Sequence, residues 1–354
     1  MQSTEAPDGA SRLPTQLVTV LIVGYNDEAD VRECLESLRK GSVPLAAVVV
    51  DNSDAAPGLQ SLRAEFPEAV FLRPERNLGF AGGNNFGFRH ILREQPTPYI
   101  FLLNPDARVA PETVGRLLEV AQANPEMAVV APTIVLPGDP PRVWYERCNV
   151  DSWTLQPRIE RFLEPWRESP RPPVGPTEFV SGCAMLIASE VLREVGGFDE
   201  RFFLYEEDLD LSLRLRRAGR SLVHVADAVV YHEVHGSSRA KGERFVPRLD
   251  PDNPLLAFHV FHLVRNRILC LLANRTGFAR ARFACGFAAL LGKYAIRYAG
   301  RGRWDGVRAI LNGLRASWRN RNAPRGRELV VPESSGGRLL DETVFSVRGT
   351  RPKV

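Results

Sequence analysis

The chain predicts an α/β fold: a mainly parallel, mixed sheet flanked by helices and followed by a helical appendage. Three observations support it. Between residues 18 and 131, short β-branched runs alternate with longer amphipathic stretches, the pattern of strands covered by helices on both faces. The first, second and fourth of these runs close on Gly, Asp and Asn, so polar groups gather at the carboxyl ends of strands, where open α/β sheets bind ligands. Beyond Asn253 the strand pattern gives way to long helical stretches.

Residues 1–15, rich in Ser, Pro and acidic groups, read as a flexible leader, with structure beginning near Gln16. Strands are then expected at 18–23, 46–50, 70–72, 99–103 and 127–131, and helices at 28–40, 58–66, 84–94 and 111–124. From 132 to 176 the pattern dissolves into proline, arginine and tryptophan, which predicts loops or short strands over a site. Order returns over 178–188 and in the segment starting at Gly196, followed by a strand pair at 222–225 and 229–231. Helices are expected at 255–273, 279–298 and 304–319. The division is a catalytic domain over 16–252, a basic helical region over 253–325 and an irregular tail over 326–354.

With 354 residues and 44% hydrophobic content, the chain can bury a substantial core. Its net charge of +4 hides an asymmetry: residues 255 to 327 hold 15 Lys or Arg against a single acid, Asp305, leaving the rest of the chain acidic. A basic tail of this kind suits an anionic lipid surface or another polyanion; interleaved aromatic platforms are sparse there, which argues against nucleic acid. The five cysteines show no CxxC spacing and leave an odd thiol, so neither a zinc cluster nor a disulfide framework is indicated, and a reducing cytoplasm fits. No window reads as the roughly 18 apolar residues of a membrane span. The stretch 283–291 comes nearest, and any membrane contact is expected to be peripheral.

The chemistry lies at the strand ends. The first strand closes as Val23-Gly24-Tyr25-Asn26-Asp27, offering an aromatic face on which a base can stack. The second closes as Val50-Asp51-Asn52-Ser53-Asp54, where a carboxylate can accept a ring N–H from a pyrimidine; turn chemistry alone also explains Asp and Asn there. The fourth ends in Leu103-Asn104-Pro105-Asp106, a hard oxygen ligand for a divalent ion bridging a diphosphate, or a turn before Pro111. His232 follows another strand, in the run continuing to His235 and Ser238; it is either structural or a nitrogen donor, and the donor role would favour manganese. The run from Asn77 through Gly79, Gly82 and Gly83 to Asn84 and Asn85 lacks G-x-G-x-x-G spacing, so a dehydrogenase fingerprint is excluded. It reads as a Gly-rich turn feeding a helix and donating N–H groups to a diphosphate, or as a close-packed helix start.

The segment Gly196 to Gly219 places a carboxylate where a helix ordinarily puts hydrocarbon. At about 100° per residue, Leu209, Leu211, Leu213 and Leu215 span one arc with Asp208 and Ser212 near its middle, while Glu206, Glu207 and Asp210 project the other way. Desolvation would raise the Asp208 pKa, as suits a general base; the alternative is an N-terminal carboxylate that stabilises the helix dipole.

Taken together, these motifs resemble an inverting family 2 glycosyltransferase of GT-A fold, and the Asn77 to Asn85 run most resembles its rhamnosyltransferase branch. The resemblance runs from about residue 18 to residue 266. It implies a Rossmann-like mixed sheet, a nucleotide-sugar donor and a saccharide or polyprenyl-linked saccharide acceptor. It implies nucleotide contacts from Tyr25, Asn26, Asp51, Asn77, Gly79, Asn84 and Asn104, a cation (Mn2+ or Mg2+) at Asp106 and His232, and Asp208 of the Glu-Asp pair as the base. Asn104 stands where the family's Asp-x-Asp has its first acid, leaving Asp106 as the carboxylate ligand. Leu263-Val264-Arg265-Asn266-Arg267 also resembles a recurring element of this branch, with no role that the sequence assigns. A nucleotidyltransferase would need a basic cluster for a triphosphate, which is missing from the strand ends; a saccharide-binding scaffold of the same fold stays open. The expected setting is cytoplasmic, peripheral on the inner face of the membrane.

Overall fold

The computed structural model describes residues 16–54, 58–167, 173–234 and 246–329. The leader, the His235 to Ser238 run and residues 330–354 of the tail lie outside them.

The strands are β1 (Val18–Gly24), β2 (Ala46–Asp51), β3 (Ala69–Leu72), β4 (Tyr99–Leu103), β5 (Ala107–Val109), β6 (Met127–Leu136), β7 (Arg142–Tyr145), β8 (Cys148–Val150), β9 (Pro157–Ile159), β10 (Val174–Pro176), β11 (Ala184–Ala188) and β12 (Ser221–His232). The helices are α1 (Glu28–Arg39), α2 (Leu62–Glu65), α3 (Gly79–Glu94), α4 (Thr113–Ala123), α5 (Ser189–Val195), α6 (Glu207–Arg217), α7 (Leu256–Asn274), α8 (Gly277–Ala299) and α9 (Trp304–Asn320).

Among the described residues, one sheet runs in the order β10-β12-β6-β11-β4-β1-β2-β3, with β5 on β12 and β7 on β6, and β8 and β9 form a separate ribbon. The β3-β2-β1-β4 half is parallel; β11 runs antiparallel between β4 and β6, which makes the sheet mixed. Val20, Leu21, Ile22, Val48, Val49 and Val50 have no exposed surface, because helices cover both faces of parallel strands and the strands then read as continuous apolar runs. Gly87 shows how closely α3 lies on this sheet: a Cβ there would sit 2.3 Å from the Leu21 side chain.

Several sequence expectations are corrected. The strand pair at 222–225 and 229–231 is one strand, β12, whose register along β6 slips between Val225 and Val229. Asp227 imitates a turn, but Thr133 Oγ1 donates to the Ala226 carbonyl and keeps the bulge inside the sheet. The helix expected at 58–66 is the single turn α2. The glycine-rich run is not a turn ahead of α3 but its first two turns.

Of Glu206, Glu207 and Asp210, the last two are buried and Glu206 is partly so. Glu207 is 4% exposed and Asp210 0%; Asp210 is enclosed by α7 and the 325–329 segment, whereas Glu207 lines the same cavity as Asp208. Arg214 Nε, Arg327 Nη2 and Asn274 Nδ2 donate to the Asp210 carboxylate at 2.8, 3.2 and 2.7 Å.

α7 is also long and apolar enough to cross a membrane, with a mean hydropathy of 1.4, which the sequence reading missed. Half of it is buried in the protein. Its Leu256, Val260, Val264 and Leu269 join the same apolar core as the sheet, and Asn266 and Arg267 are buried with polar partners. These are the marks of a core helix. α9 packs on α7 through small residues; a Cβ on Gly313 would stand 2.8 Å from Val264 Cβ.

Candidate active site

Asp208 sits in the first turn of α6, just after a backbone segment that bends against its own preferences. Phe203, Tyr205 and Glu206 have φ of 61°, 70° and 72°, a region that costs a non-glycine residue about 1–3 kcal/mol. The bend turns the Phe203 carbonyl toward α3, where it accepts from Phe80 N at 2.7 Å and Ala81 N at 3.3 Å. Gly79 makes this contact possible: its φ is +70°, and a Cβ there would lie 2.5 Å from the Phe203 carbonyl oxygen.

The cavity next to this bend has a volume of about 300 Å³ and is lined by Asp208, Glu207, Asn104, His232, Arg248 and Trp144, among others. Asp208 Oδ2 accepts from Gly182 N at 3.1 Å and Oδ1 from Leu209 N at 2.8 Å. Burial pushes its pKa up to about 6, and Glu206 adds to the rise; the Gly182 and Leu209 N–H groups and Arg248 pull the other way. Glu207 is held well above the ordinary carboxylate range, first by burial and then by Asp208. Asp208 thus accepts a first-turn N–H of its own helix and faces the cavity at once, so the two readings of it are compatible.

Across the cavity, β5 pairs antiparallel with β12, setting His232 opposite Ala107 and next to Asp106. His232 Nε2 lies 3.1 Å from Asp106 Oδ1 and 3.4 Å from Asn104 Nδ2. Burial disfavours the imidazolium, but Asp106 and then Cys183 outweigh it and hold the pKa well above its usual value. Asn104 Oδ1 is buried with no hydrogen-bond partner. Among the described residues, no three His, Cys, Asp or Glu side chains group as a metal site; a carboxylate, an imidazole and this orphaned amide oxygen form a mixed oxygen and nitrogen donor set, which fits a cation completed by substrate oxygens once the imidazole gives up its proton.

The remaining nucleotide candidates do not line this cavity; they lie at the ends of β1 and β2 and around the start of α3. Tyr25 is 48% exposed and its hydroxyl donates to Asp54. Asn26 is exposed with φ 54° and its N–H donates to Ser53 Oγ. Asp51 is 4% exposed and accepts from Arg73 Nη1 at 2.7 Å and Leu59 N at 3.1 Å. Asn77 Oδ1 accepts from Gly79 N and Asn52 Nδ2. Asn84 is buried and donates to the Phe80 carbonyl within α3. The N–H groups at the start of α3 are therefore taken by Asn77 and Phe203, which corrects the expectation that they face a diphosphate.

The sequence reading passed over several residues of the site. Asn52 stitches the 77–79 loop to β2 through Asn77, Leu78 and Gly79. Glu206 forms a two-pronged ion pair with Arg267, one contact at 2.7 Å. Arg248 stacks its guanidinium 4.2 Å from the Tyr205 ring centre. The adjacent strained non-glycine residues left no sequence signal, whereas Glu207 beside Asp208 was visible and read as projecting away from it, though both line the cavity.

Comparison with known proteins follows the same lines. The chain is 26% identical over 265 residues to the N-acetylglucosaminyl-diphospho-decaprenol L-rhamnosyltransferase of Mycobacterium tuberculosis, covering 69% of this chain and 82% of that one. It is 24% identical over 232 residues to the rhamnosyltransferase WbbL of Escherichia coli, covering 63% and 86%. Its fold is similar to the crystal structure of GalNAc-T7 with UDP, GalNAc and Mn2+, with TM-score 0.51, 16% identity and 70% of this chain covered; this chain spans about half of that one (48%). The model of the family described as "Glycosyl transferase family 2" matches residues 19–196. That is half of the chain, and with the GT-A-like sheet it makes this protein a glycosyltransferase, a member of glycosyl transferase family 2.

Proposed function

We propose that the protein is an inverting glycosyltransferase that moves L-rhamnose from dTDP-rhamnose to a hydroxyl of a saccharide or polyprenyl-linked saccharide during cell-surface polysaccharide synthesis. The observation that carries the mechanism is Asp208: a carboxylate with a pKa raised to about 6, anchored by two backbone N–H groups and facing a cavity. The donor assignment is supported by the rhamnosyltransferases among its relatives.

In this mechanism the acceptor oxygen attacks the anomeric carbon as the bond to the diphosphate breaks, and the acceptor's proton passes to Asp208. Burial, and then Asp208, raise the Glu207 pKa well above the ordinary carboxylate range, whereas Asp208 is pushed up only to about 6. Tyr25, Asn26 and Asp51 are assigned to the nucleobase side, with Asn77, Gly79 and Asn84 shaping the loop and helix start beside it. Asp106 and His232, with Asn104 Oδ1, would hold the divalent cation, Mn2+ or Mg2+. A cation bound there supplies electrostatic stabilisation to the departing diphosphate. The setting proposed is cytoplasmic, with the basic helical region resting on the inner face of the membrane; the exposed stripe on α9 and the arginine excess support it.

A panel of nucleotide-sugars tested by thermal shift, with and without Mn2+, reads the donor directly, since a ligand that binds the native state raises the melting temperature. The expected result is a selective shift by dTDP-rhamnose that grows with Mn2+, and transfer with inversion at the anomeric carbon. A shift by other nucleotide-sugars alone would overturn the donor assignment, and retention of configuration would overturn the displacement.

A further inference from the structure

The Arg265-Asn266-Arg267 triplet, whose role the sequence left unassigned, lies on α7 outside the family match, yet its three side chains converge on the bend that carries Asp208. Asn266 is fully buried. Its Nδ2 donates to the carbonyls of Phe202 at 3.0 Å, Leu204 at 2.8 Å and Tyr205 at 2.8 Å. An amide nitrogen has two hydrogens, so one of these bonds is shared and the group is saturated. Its Oδ1 accepts from Arg265 Nη1 at 2.8 Å, and Arg265 Nη2 donates to the Arg201 carbonyl at 2.5 Å. Arg267 closes the other end, pairing with Glu206 and donating from Nη1 to the Thr154 carbonyl at 3.0 Å.

The carbonyls of residues 201, 202, 204 and 205 and the carboxylate of residue 206 are thus all held from one turn of one helix. The bend contains three residues in the left-handed region, a conformation that persists only where surroundings over-determine it. The carbonyls of Phe202, Leu204 and Tyr205 point to one spot, which the Asn266 amide fills. A helix that merely covered the core would need only apolar side chains at these positions.

We infer that Asn266, with Arg265 and Arg267, is a positioning element for the reaction: it locks the 201–206 bend so that Asp208 faces the acceptor, making α7 part of the catalytic unit. The inference rests on the reading of Asp208 as the base.

The test uses the full chain with Asn266→Ala, the milder Arg265→Gln, Asp208→Asn and the Asn266→Ala/Asp208→Asn double variant. Steady-state kinetics are read beside amide hydrogen exchange of peptides spanning 202–209. Misplacing a catalytic group by about 1 Å costs on the order of 100-fold, so kcat is expected to fall roughly 10- to 100-fold for Asn266→Ala and less for Arg265→Gln. Donor KM should stay within about two-fold, since binding equal in ground and transition states is not what is lost. Exchange over 202–209 should quicken while β1 to β4 stay protected. In the Asp208→Asn background, Asn266→Ala should add no further loss, because residues acting as a unit are non-additive. Unchanged kcat, losses that multiply in the double variant, or unchanged exchange over 202–209 would overturn the inference. If Asn266→Ala does not fold, Arg265→Gln decides by the same readouts. Full turnover in Asp208→Asn alone would instead remove the base assignment, and the exchange result would then still decide whether the triplet holds the bend.

Discussion

The Asp208 carboxylate accepts the Gly182 N–H at 3.1 Å, so the residue that faces the cavity from α6 is aimed by the loop leading into β11. A Cβ on Gly182 would lie 3.2 Å from the Phe80 ring and 3.5 Å from Asp208 Cβ, which makes this contact close as well as directional. Replacing one oxygen by an amide keeps the shape and removes the base. Asp208→Asn is expected to lower turnover by about two to four decades, the span ascribed to a general base, with donor affinity nearly intact. Titration calorimetry beside a product assay checks this; parallel losses in both would contradict the assignment.

A base must be ionised, and Asp208 ionises near pH 6. Activity is therefore expected to be level above about pH 7 and to fall roughly tenfold per unit below the pKa. Arg248 draws this pKa down, against burial and Glu206, which push it up. Arg248→Gln should move the acidic limb of the kcat/KM profile to higher pH. An acidic limb that stays in place would show that another group governs it.

The same shift has a cost in stability, opposite in sign to that of a salt-bridged carboxylate. A folded-state pKa of about 6 against the ordinary 3.8 means that the native state holds its proton more tightly than the unfolded chain. Stability from this group is present at low pH and is lost as pH rises through 6, about 1–3 kcal/mol in all. Asp208→Asn carries no such charge. It is expected to melt above the parent at pH 7.5, with the gap narrowing toward pH 4.5; a gap independent of pH would mean that Asp208 is not desolvated.

Where each side chain matched one local demand, the sequence was legible. Buried strands such as β1 and β2 declared themselves by apolar runs such as Val20 to Ile22 and Val48 to Val50, and the raised pKa of Asp208 was legible from its place among leucines. What failed did so because a distant segment supplied the answer. Asp210 was legible only as projecting away from the leucines; its partner Arg327 stands 117 residues on. The Gly79 to Gly83 run looked like a phosphate loop, because only the Phe203 carbonyl explains why the start of α3 lacks a side chain. α7 escaped notice as a long apolar helix since its arginines interrupt the pattern, and their partners lie in the 201–206 bend.

The Asp210 cluster makes its own prediction. Asp210 and Asp199 are fully buried and share Arg327, while Arg214 also donates to the carbonyls of Val195 and Gly197. Burial lowers the Arg214 pKa, with Asp210 opposing it. Removing one partner of a buried pair leaves the other charge uncompensated, at about 3–5 kcal/mol. Asp210→Ala should lower the urea midpoint strongly, whereas Asp227→Ala, on the exposed Arg116 pair, should hardly move it. Equal effects would mean that the buried cluster adds no more than surface charge.

The membrane reading turns on α9. Trp304, Leu311 and Trp318 recur every seventh residue and are 59%, 49% and 67% exposed. That spacing aligns them on one face, while Gly306, Ala309, Ile310, Gly313 and Ser317 on the other face are buried. Arg308 and Arg315 stand one turn along the exposed face, and the Arg321 guanidinium lies 3.9 Å from the Trp318 ring centre. Tryptophan and leucine rimmed by arginine is the composition of a helix lying in a lipid interface. In flotation, the protein is expected to rise with vesicles containing phosphatidylglycerol and to stay behind with purely zwitterionic ones. Arg308→Gln with Arg315→Gln should weaken partitioning by roughly tenfold or more, and Trp304→Ala with Trp318→Ala should abolish what persists at high salt, where charge is screened and apolar insertion is not. Because these residues lie away from the cavity, transfer to a short water-soluble acceptor should be unchanged in both variants. Equal flotation on both vesicle types would remove the anionic surface from the partners of this helix.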